Sequence, residues 1–309
     1  MHVAVIIATR NRAHLLGPAL ASVLGQDLRP SAPQVEVLVA DNGPDDETRD
    51  VVHATSEGAR FPVRYLCEPK RGKPFALNAA LLATEAEVCV FFDDDQIADK
   101  HWLSSLLHGL QRHPEASGVS GRVEIWEADV RGSWQKLFAS RFQSYNGPVD
   151  CRADWLNGGN AALRRAAILA VGGFDPRFPR GQDTKLLRDL TRAGHIVYYT
   201  PAAVIYHRAE ADRLTLRGWV AQLRQQAYGD AFLARWAAPG EEGDPVQRWV
   251  HARRRCLLKL PYTVLMQGLC GASRDLGWAI QYSTAIRSYR ALGPAEPADG
   301  SVDGAIGCA

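Results

Sequence analysis

Three consecutive carboxylates, Asp93-Asp94-Asp95, follow the wholly apolar run Val88 to Phe92. Side by side they repel one another unless a cation sits among them. Hard oxygen ligands in small number suit Mg²⁺ or Mn²⁺ held jointly with a diphosphate, and so metal-assisted departure of a phosphate group, or else the triplet is an acidic loop cap exposed to water. Asp183 follows Gly181-Gln182 at the head of an apolar-periodic stretch. The positive end of a helix there keeps the carboxylate ionised, as a general base requires, although an ordinary helix N-cap uses Asp in the same place. Asp41, followed by Asn42, suits acceptance of a hydrogen bond from a uracil or thymine imide, or a plain Asx turn through Asp-Asn-Gly-Pro. Arg71 and Lys73 flank Gly72 ahead of a helix start and suit phosphate binding, or simple solvation. His207 ends an apolar run, where metal ligation and core packing are both open.

These residues fall where strands end. Val3 to Ile7 predicts a first strand, Val35 to Ala40 a second, Val63 to Cys67 a third and Val88 to Phe92 a fourth. Helical spacing separates them over Ala13 to Leu24, from Asp45-Asp46-Glu47 onward, and from Pro74 through Leu82. The alternation predicts right-handed crossovers and an α/β fold with a mostly parallel central sheet, in which ligands bind beyond the carboxyl ends of the strands. Thr9 and Arg10, Asp41, Lys70 to Lys73 and the aspartate triplet all stand at those ends. Farther on, Gly118 to Ile125 reads as a strand and Trp134 to Tyr145 as a helix. Trp155 to Asn160 reads as a turn-rich loop before a helix near Arg164 to Val171, and Ile196–Tyr199 and Val204–His207 as two short strands. From Leu214 the pattern is helical, with breaks at Pro239-Gly240 and Pro261, and the segment after Gly293-Pro294 reads as a disordered tail.

The chain has 309 residues, 46% hydrophobic and 23% charged, with a net charge of +2, too small to argue for nucleic acid. The charge is unevenly spread: Asp244 to Pro294 holds 8 Lys plus Arg against 2 Asp plus Glu. Six cysteines without a CxxC pair exclude a zinc ribbon and suggest reduced thiols. No targeting segment is read at the N-terminus, and the apolar stretch Leu260 to Gly271 is shorter than a spanning helix of about 20 residues. The expected setting is cytoplasmic, with peripheral membrane contact as an option.

Taken together the motifs resemble the family 2 glycosyltransferases, inverting enzymes of the GT-A fold. The resemblance runs from Val3 to about His207 through Val-Ile-Ile-Ala-Thr-Arg-Asn-Arg, Val-Ala-Asp41-Asn-Gly, Arg71-Gly-Lys-Pro-Phe-Ala-Leu-Asn78, Phe-Phe-Asp93-Asp-Asp95, Gly158-Gly-Asn-Ala-Ala-Leu, Val-Gly-Gly-Phe174-Asp-Pro-Arg-Phe and Gly181-Gln-Asp183. It implies a nucleotide-sugar donor, of UDP or dTDP type if Asp41 reads the base. Thr9, Arg10 and Asp41 would surround that base. Arg71, Lys73 and Asn78 would lie near the ribose and diphosphate, with Asp93 and Asp94 on the donor. Asp95, with Asp93 and His207, would hold Mg²⁺ or Mn²⁺, and Asp183 would be the base. Trp155, Gly158, Gly159, Asn160 and Gln182 would face the sugar or acceptor, a small molecule, a glycan or a lipid-linked glycan. Three departures stand out: Ala8 where Pro is frequent, Gly43 and Pro44 where Ser is frequent, and Gln182 in place of Glu. The Gln-x-x-Arg-Trp motif of processive synthases is lacking, since Phe232 and Pro245 precede the two Arg-Trp pairs, so transfer of one sugar or a few is implied.

The organisation expected is a nucleotide-sugar-binding half over 1–115, an acceptor-binding half over 116–210, a helical extension over 211–292 and a tail over 293–309. Arg253-Arg254-Arg255 beside Leu257, Leu258 and Leu260 suit anionic lipid, coverage of the acceptor half or a homodimer. Two other functions compete. Asp93-x-Asp95 after an apolar strand resembles an aspartyl-phosphate phosphatase loop, but lies far from the N-terminus. A catalytically silent nucleotide-sugar-binding module is the other, kept open by Gln182.

Overall fold

The computed structural model describes residues 1–28, 34–43, 45–139, 144, 147–178, 180–236 and 244–292, apart from the side chains of 133, 134, 137 and 264–274. The expected tail over 293–309 and the break at Pro239-Gly240 lie outside the described residues. In chain order the elements are β1 (His2–Thr9), α1 (Ala13–Leu24), β2 (Gln34–Asp41), α2 (Asp46–Ser56), β3 (Val63–Cys67), α3 (Lys73–Ala83), β4 (Val88–Asp93), β5 (Gln96–Ala98), α4 (Trp102–Arg112) and β6 (Gly118–Ile125). There follow α5 (Ser133–Ala139), β7 (Cys151–Arg152), β8 (Asn160–Arg164), α6 (Arg165–Ala170), α7 (Gln182–Arg192), β9 (Val197–His207), α8 (Leu216–Trp236) and α9 (Pro245–Ala291).

Side chains of β1 leave alternate faces of the sheet, and both faces are apolar. Val3, Val5 and Ile7 meet Leu16, Leu20 and Val23 of α1 and Trp102 and Leu103 of α4. Ala4, Ile6 and Ala8 meet Leu77 and Leu81 of α3 and Leu186 and Leu190 of α7. Burial on both faces explains why this strand, like β4, reads as an uninterrupted apolar run.

The sheet runs β3-β2-β1-β4-β8-β6-β9-β5, with β7 beside β9. The first four strands pair in parallel, as expected from the helix-strand alternation; β8 is antiparallel to both neighbours, and β5 and β7 are antiparallel to β9. The two short strands expected over Ile196–His207 are one, interrupted at its centre. Gly121 pairs Thr200 and the next residue, Arg122, pairs Val204, so Pro201 to Ala203 bulge out of the ladder. A proline has no N–H to give to a ladder, which accounts for the bulge. The unanticipated strand β5 pairs Gln96 with His207, bringing the end of β9 beside the aspartate triplet.

The C-terminal helices pack on each other through Trp219 of α8 and Gly277 of α9, and Gln281 Nε2 donates to Asp230 Oδ2 at 2.6 Å. α9 is folded back on itself. Thr263 Oγ1 donates to Asp275 Oδ2 at 2.6 Å, and the Trp249 and Tyr289 rings lie 5.8 Å apart. Twelve residues of straight helix would separate the first pair by about 18 Å. The chain therefore reverses between Thr263 and Asp275, after Pro261 and not at it. Among the described residues no helix is long and apolar enough to cross a membrane.

Candidate active site

The carboxyl end of β4 delivers three aspartates into three different surroundings. Asp93 takes a bond from Lys73 Nζ, at the head of α3, and its own N–H donates to Gln96 Oε1 at 3.2 Å. Asp94 is buried and accepts from Thr9 Oγ1 and from the Arg12 guanidinium, both at 2.8 Å. Asp95 is buried too, and its Oδ2 accepts from Arg12 at 3.1 Å and from Arg213 at 3.2 Å. Asn11 lies in the left-handed region at φ 52°, which asparagine tolerates, and this turn brings Arg12 round to the aspartates.

Charge is shared unequally among these groups. Burial first, then the charge of Asp95, pushes Asp94 up to about 6. Burial also works upward on Asp95, but His207, Arg12, Arg213 and Lys73 outweigh it and hold that carboxyl below the usual range. Burial disfavours the charge on Arg12 and on Lys73, yet the aspartates raise both above their ordinary values. The cluster is a balanced set of fixed charges at one strand end.

His207 points Nε2 at Asp95 Oδ1, 3.6 Å away, while its Nδ1 lies 2.7 Å from the carbonyl oxygen of Arg208. A carbonyl only accepts, so Nδ1 donates to it, and this turns Nε2 toward Asp95, the orientation of a metal-binding histidine. Among the described residues no three His, Cys, Asp or Glu side chains converge into a self-sufficient metal cage. Two protein ligands, Asp95 and His207, fit a hard cation that takes its remaining oxygens from elsewhere.

Asp183 stands in the first turn of α7. The N-cap is Gly181, at φ 72°, so Asp183 does not cap its helix. Its Oδ1 accepts from the Thr184 N–H at 2.8 Å and its Oδ2 from the Gly158 N–H at 3.3 Å. Burial pushes this carboxyl up, against the bonds from Thr184 and Gly158 and the charge of Lys73. Gly158 and Gly159 are glycines for a steric reason: a Cβ would stand 2.9 Å from Asp183 Cβ at the first and 2.4 Å from Gln96 Nε2 and 2.7 Å from Asp93 Oδ2 at the second. The pair thus lays bare backbone against Asp183 on one side and Asp93 on the other.

A cleft of about 700 Å³ unites these groups, lined by Lys73, Asp93, Asp95, His207, Trp155, Gly158, Gly159, Gln182 and Asp183. A second cleft of about 180 Å³ lies beside it, between Thr9, Arg10, Arg12, Asn42, Lys73 and the three aspartates. In it the Arg10 Nε and Asn42 Nδ2 atoms are buried without a hydrogen-bond partner.

Four of the expected contact residues sit elsewhere. Asn78 clamps a turn, donating to the Phe174 carbonyl at 2.7 Å and accepting from the Phe174 N–H at 2.9 Å. Asn160 is buried in the sheet, where its Nδ2 satisfies the carbonyls of Arg122 and Ala203 left by the β6–β9 bulge and its Oδ1 accepts from Trp102 Nε1. Arg71 is exposed and lines neither cleft. Asp41 is wholly buried, its oxygens taken by the Gly43 N–H at 3.0 Å and the Tyr65 hydroxyl at 2.8 Å, which is the Asx-turn reading.

A family model described as Glycosyl transferase family 2 matches residues 4–172, more than half of the chain. The chain belongs to glycosyl transferase family 2. Curated relatives of this glycosyltransferase-family chain include the probable glycosyltransferase YdaM of Bacillus subtilis, 25% identical over 75% of this chain and 56% of the relative. An uncharacterized glycosyltransferase of Nostoc sp. is 31% identical over 57% of this chain and 55% of its own length. The chain thus spans little more than half of these two relatives. The succinoglycan biosynthesis protein ExoM of Rhizobium meliloti is 26% identical over 72% of each chain. Among solved structures, a Pyrobaculum calidifontis mannosyltransferase in complex with GDP-Man and Mn²⁺ superposes with a TM-score of 0.64 at 20% identity, over 92% of this chain and 86% of that one. TarS of S. aureus superposes with 0.53 at 15% identity, over 94% and 92%. These likenesses show the GT-A fold.

Within the family 2 fold, Arg12, Gln96 and Arg213 line the candidate site without having been singled out in the sequence. Arg12 carried a signal, as a cation just past the first strand. Arg213 carried none, because a loop argument from sequence does not tell which of several arginines turns inward. The departure at Gly43 also has a cause: a Cβ there would come within 2.5 Å of Asn11 Oδ1 and 2.6 Å of Arg10 Cγ. Asp183 and His207 lie beyond the matched segment, so their place in the site rests on geometry.

Proposed function

We propose that the protein transfers one sugar from a nucleoside diphosphate-sugar to an acceptor hydroxyl, by a single inverting displacement with a divalent cation. The observation that carries this reading is the shared cleft: a half-buried, hydrogen-bonded carboxylate at Asp183 faces the Asp93, Asp95 and His207 group across Gly158-Gly159. One base and one charge-neutralising centre suffice for a displacement from the face opposite the leaving group, with no covalent nucleophile.

In this mechanism Asp183 accepts the acceptor hydroxyl's proton as that oxygen attacks the anomeric carbon. Burial raises its affinity for the proton, while the Gly158 and Thr184 N–H groups fix its direction. Mg²⁺ or Mn²⁺, held by Asp95 and His207, would neutralise the departing diphosphate. Lys73, Arg12 and Arg213 already surround the carboxylates and supply further positive charge to the same leaving group. The nucleoside fits the smaller cleft, where Arg10 and Asn42 hold unspent donors for a base or ribose. A UDP or dTDP preference rests on Asp41, which supports it only through the loop it fixes. The acceptor enters past Trp155 and Gln182, where a further cavity of about 700 Å³ between α7 and the C-terminal helices adjoins the cleft at Thr184.

The phosphatase reading would make Asp93 a nucleophile, whereas here its Oδ1 is bound to Lys73. A panel of nucleotide sugars with Mn²⁺ tests the proposal. Nucleoside diphosphate release from at least one donor, stopped by chelation, is expected. No binding and no release across the panel would refute it, and phosphate release from a simple phosphomonoester would favour the phosphatase.

A further inference from the structure

We propose that the helical hairpin made by α9 docks the protein on an anionic lipid surface, with its distal end in the bilayer interface. The hairpin's inner side is used up: Gly277 packs on Trp219, and Ala279, Gln281, Ala285 and Ile286 are buried. Its distal end is the opposite. Leu257 is 48% exposed, Leu258 71%, Tyr262 63%, Leu276 41% and Trp278 38%. Leu258 and Tyr262 stand one turn apart on the same face of the first arm. Within the stretch over which the chain reverses, Val264-Leu-Met-Gln-Gly-Leu-Cys-Gly271 carries no charge.

The charges around this end are predominantly positive. Arg253, Arg254, Arg255, Lys259 and Arg274 precede or follow the bend, and the one acid between His251 and Trp278, Asp275, accepts from Thr263. Arg254 and Lys259 are exposed beside the exposed leucines, whereas Arg255 lines the cavity shared with α7. Exposed apolar side chains beside exposed cations, on a hairpin that among the described residues is not long and apolar enough to cross a membrane, match an interfacial anchor. Charge complementarity selects the occupant, since an uncharged apolar partner would leave these cations without a role. The inference is independent of the sugar-transfer reading.

Flotation of the full chain with mixed phosphatidylglycerol–phosphatidylcholine vesicles, against pure phosphatidylcholine vesicles, tests it at low and high salt. Binding is expected to the anionic vesicles and to weaken with salt. Arg254→Gln with Lys259→Gln should weaken it roughly twenty-five-fold, at about fivefold per removed charge. Leu258→Ser with Tyr262→Ser should weaken binding at unchanged thermal stability, since both side chains are exposed. Equal binding to both vesicle types, or no binding to anionic vesicles at low salt, overturns the proposal. So does a concentration-dependent dimer in sedimentation velocity that the leucine–tyrosine variant dissociates without any vesicle binding, which assigns the patch to a second copy.

Discussion

As the base in the reaction we propose, Asp183 gains from surroundings that disfavour its charge. Burial disfavours its charge, so it titrates above an ordinary aspartate, and transfer should decline with falling pH from a point above that ordinary value. The initial-rate pH profile checks this. For stability the sign is opposite. A carboxyl whose folded value is raised favours the fold in acid, and that contribution is lost as pH rises through the raised value. Asp183→Asn should therefore melt at a higher temperature than the native chain at neutral pH, as scanning fluorimetry would read. Gly159 makes a second residue-scale case. A Cβ there would strike Asp93 and Gln96, so Gly159→Ala should lose most transfer activity and cation affinity while the fold's circular dichroism persists.

At the scale of elements, strands and helices of the first third were legible in the sequence because both-faced burial and helical spacing leave distinct patterns. The four polar clusters at strand ends were legible for the same reason, since apolar runs stop abruptly there. Asn78 and Asn160 were not. Their amides answer needs that arise only after the chain folds: the turn at Phe174, and the carbonyls orphaned by the bulge at Pro201 to Ala203. Asn78→Ala should lower stability by about 1–3 kcal/mol, the range for leaving buried polar groups unpaired, with cation affinity unchanged. Chemical denaturation and a metal titration separate the two. β5 was missed as well, being three residues long, yet it sets His207 against Asp95.

Across the whole molecule, one sheet carries both the ends of the parallel strands and the Gly158-Gly159 loop, so the aspartates of β4 and the carboxylate of α7 meet over that loop. The hairpin of α9 is a whole-molecule property too: its helical pattern was readable, but its reversal shows only in contacts between residues far apart in sequence. On the two readings proposed above, the charge-balanced aspartate cluster is the reaction centre and the basic hairpin the docking end. The most direct test of the central claim compares the native chain with Asp183→Asn for donor affinity and for sugar transfer in the presence of Mn²⁺. Donor affinity unchanged and transfer lower by about 10²–10⁴-fold is the predicted result. Transfer at the native rate would contradict it.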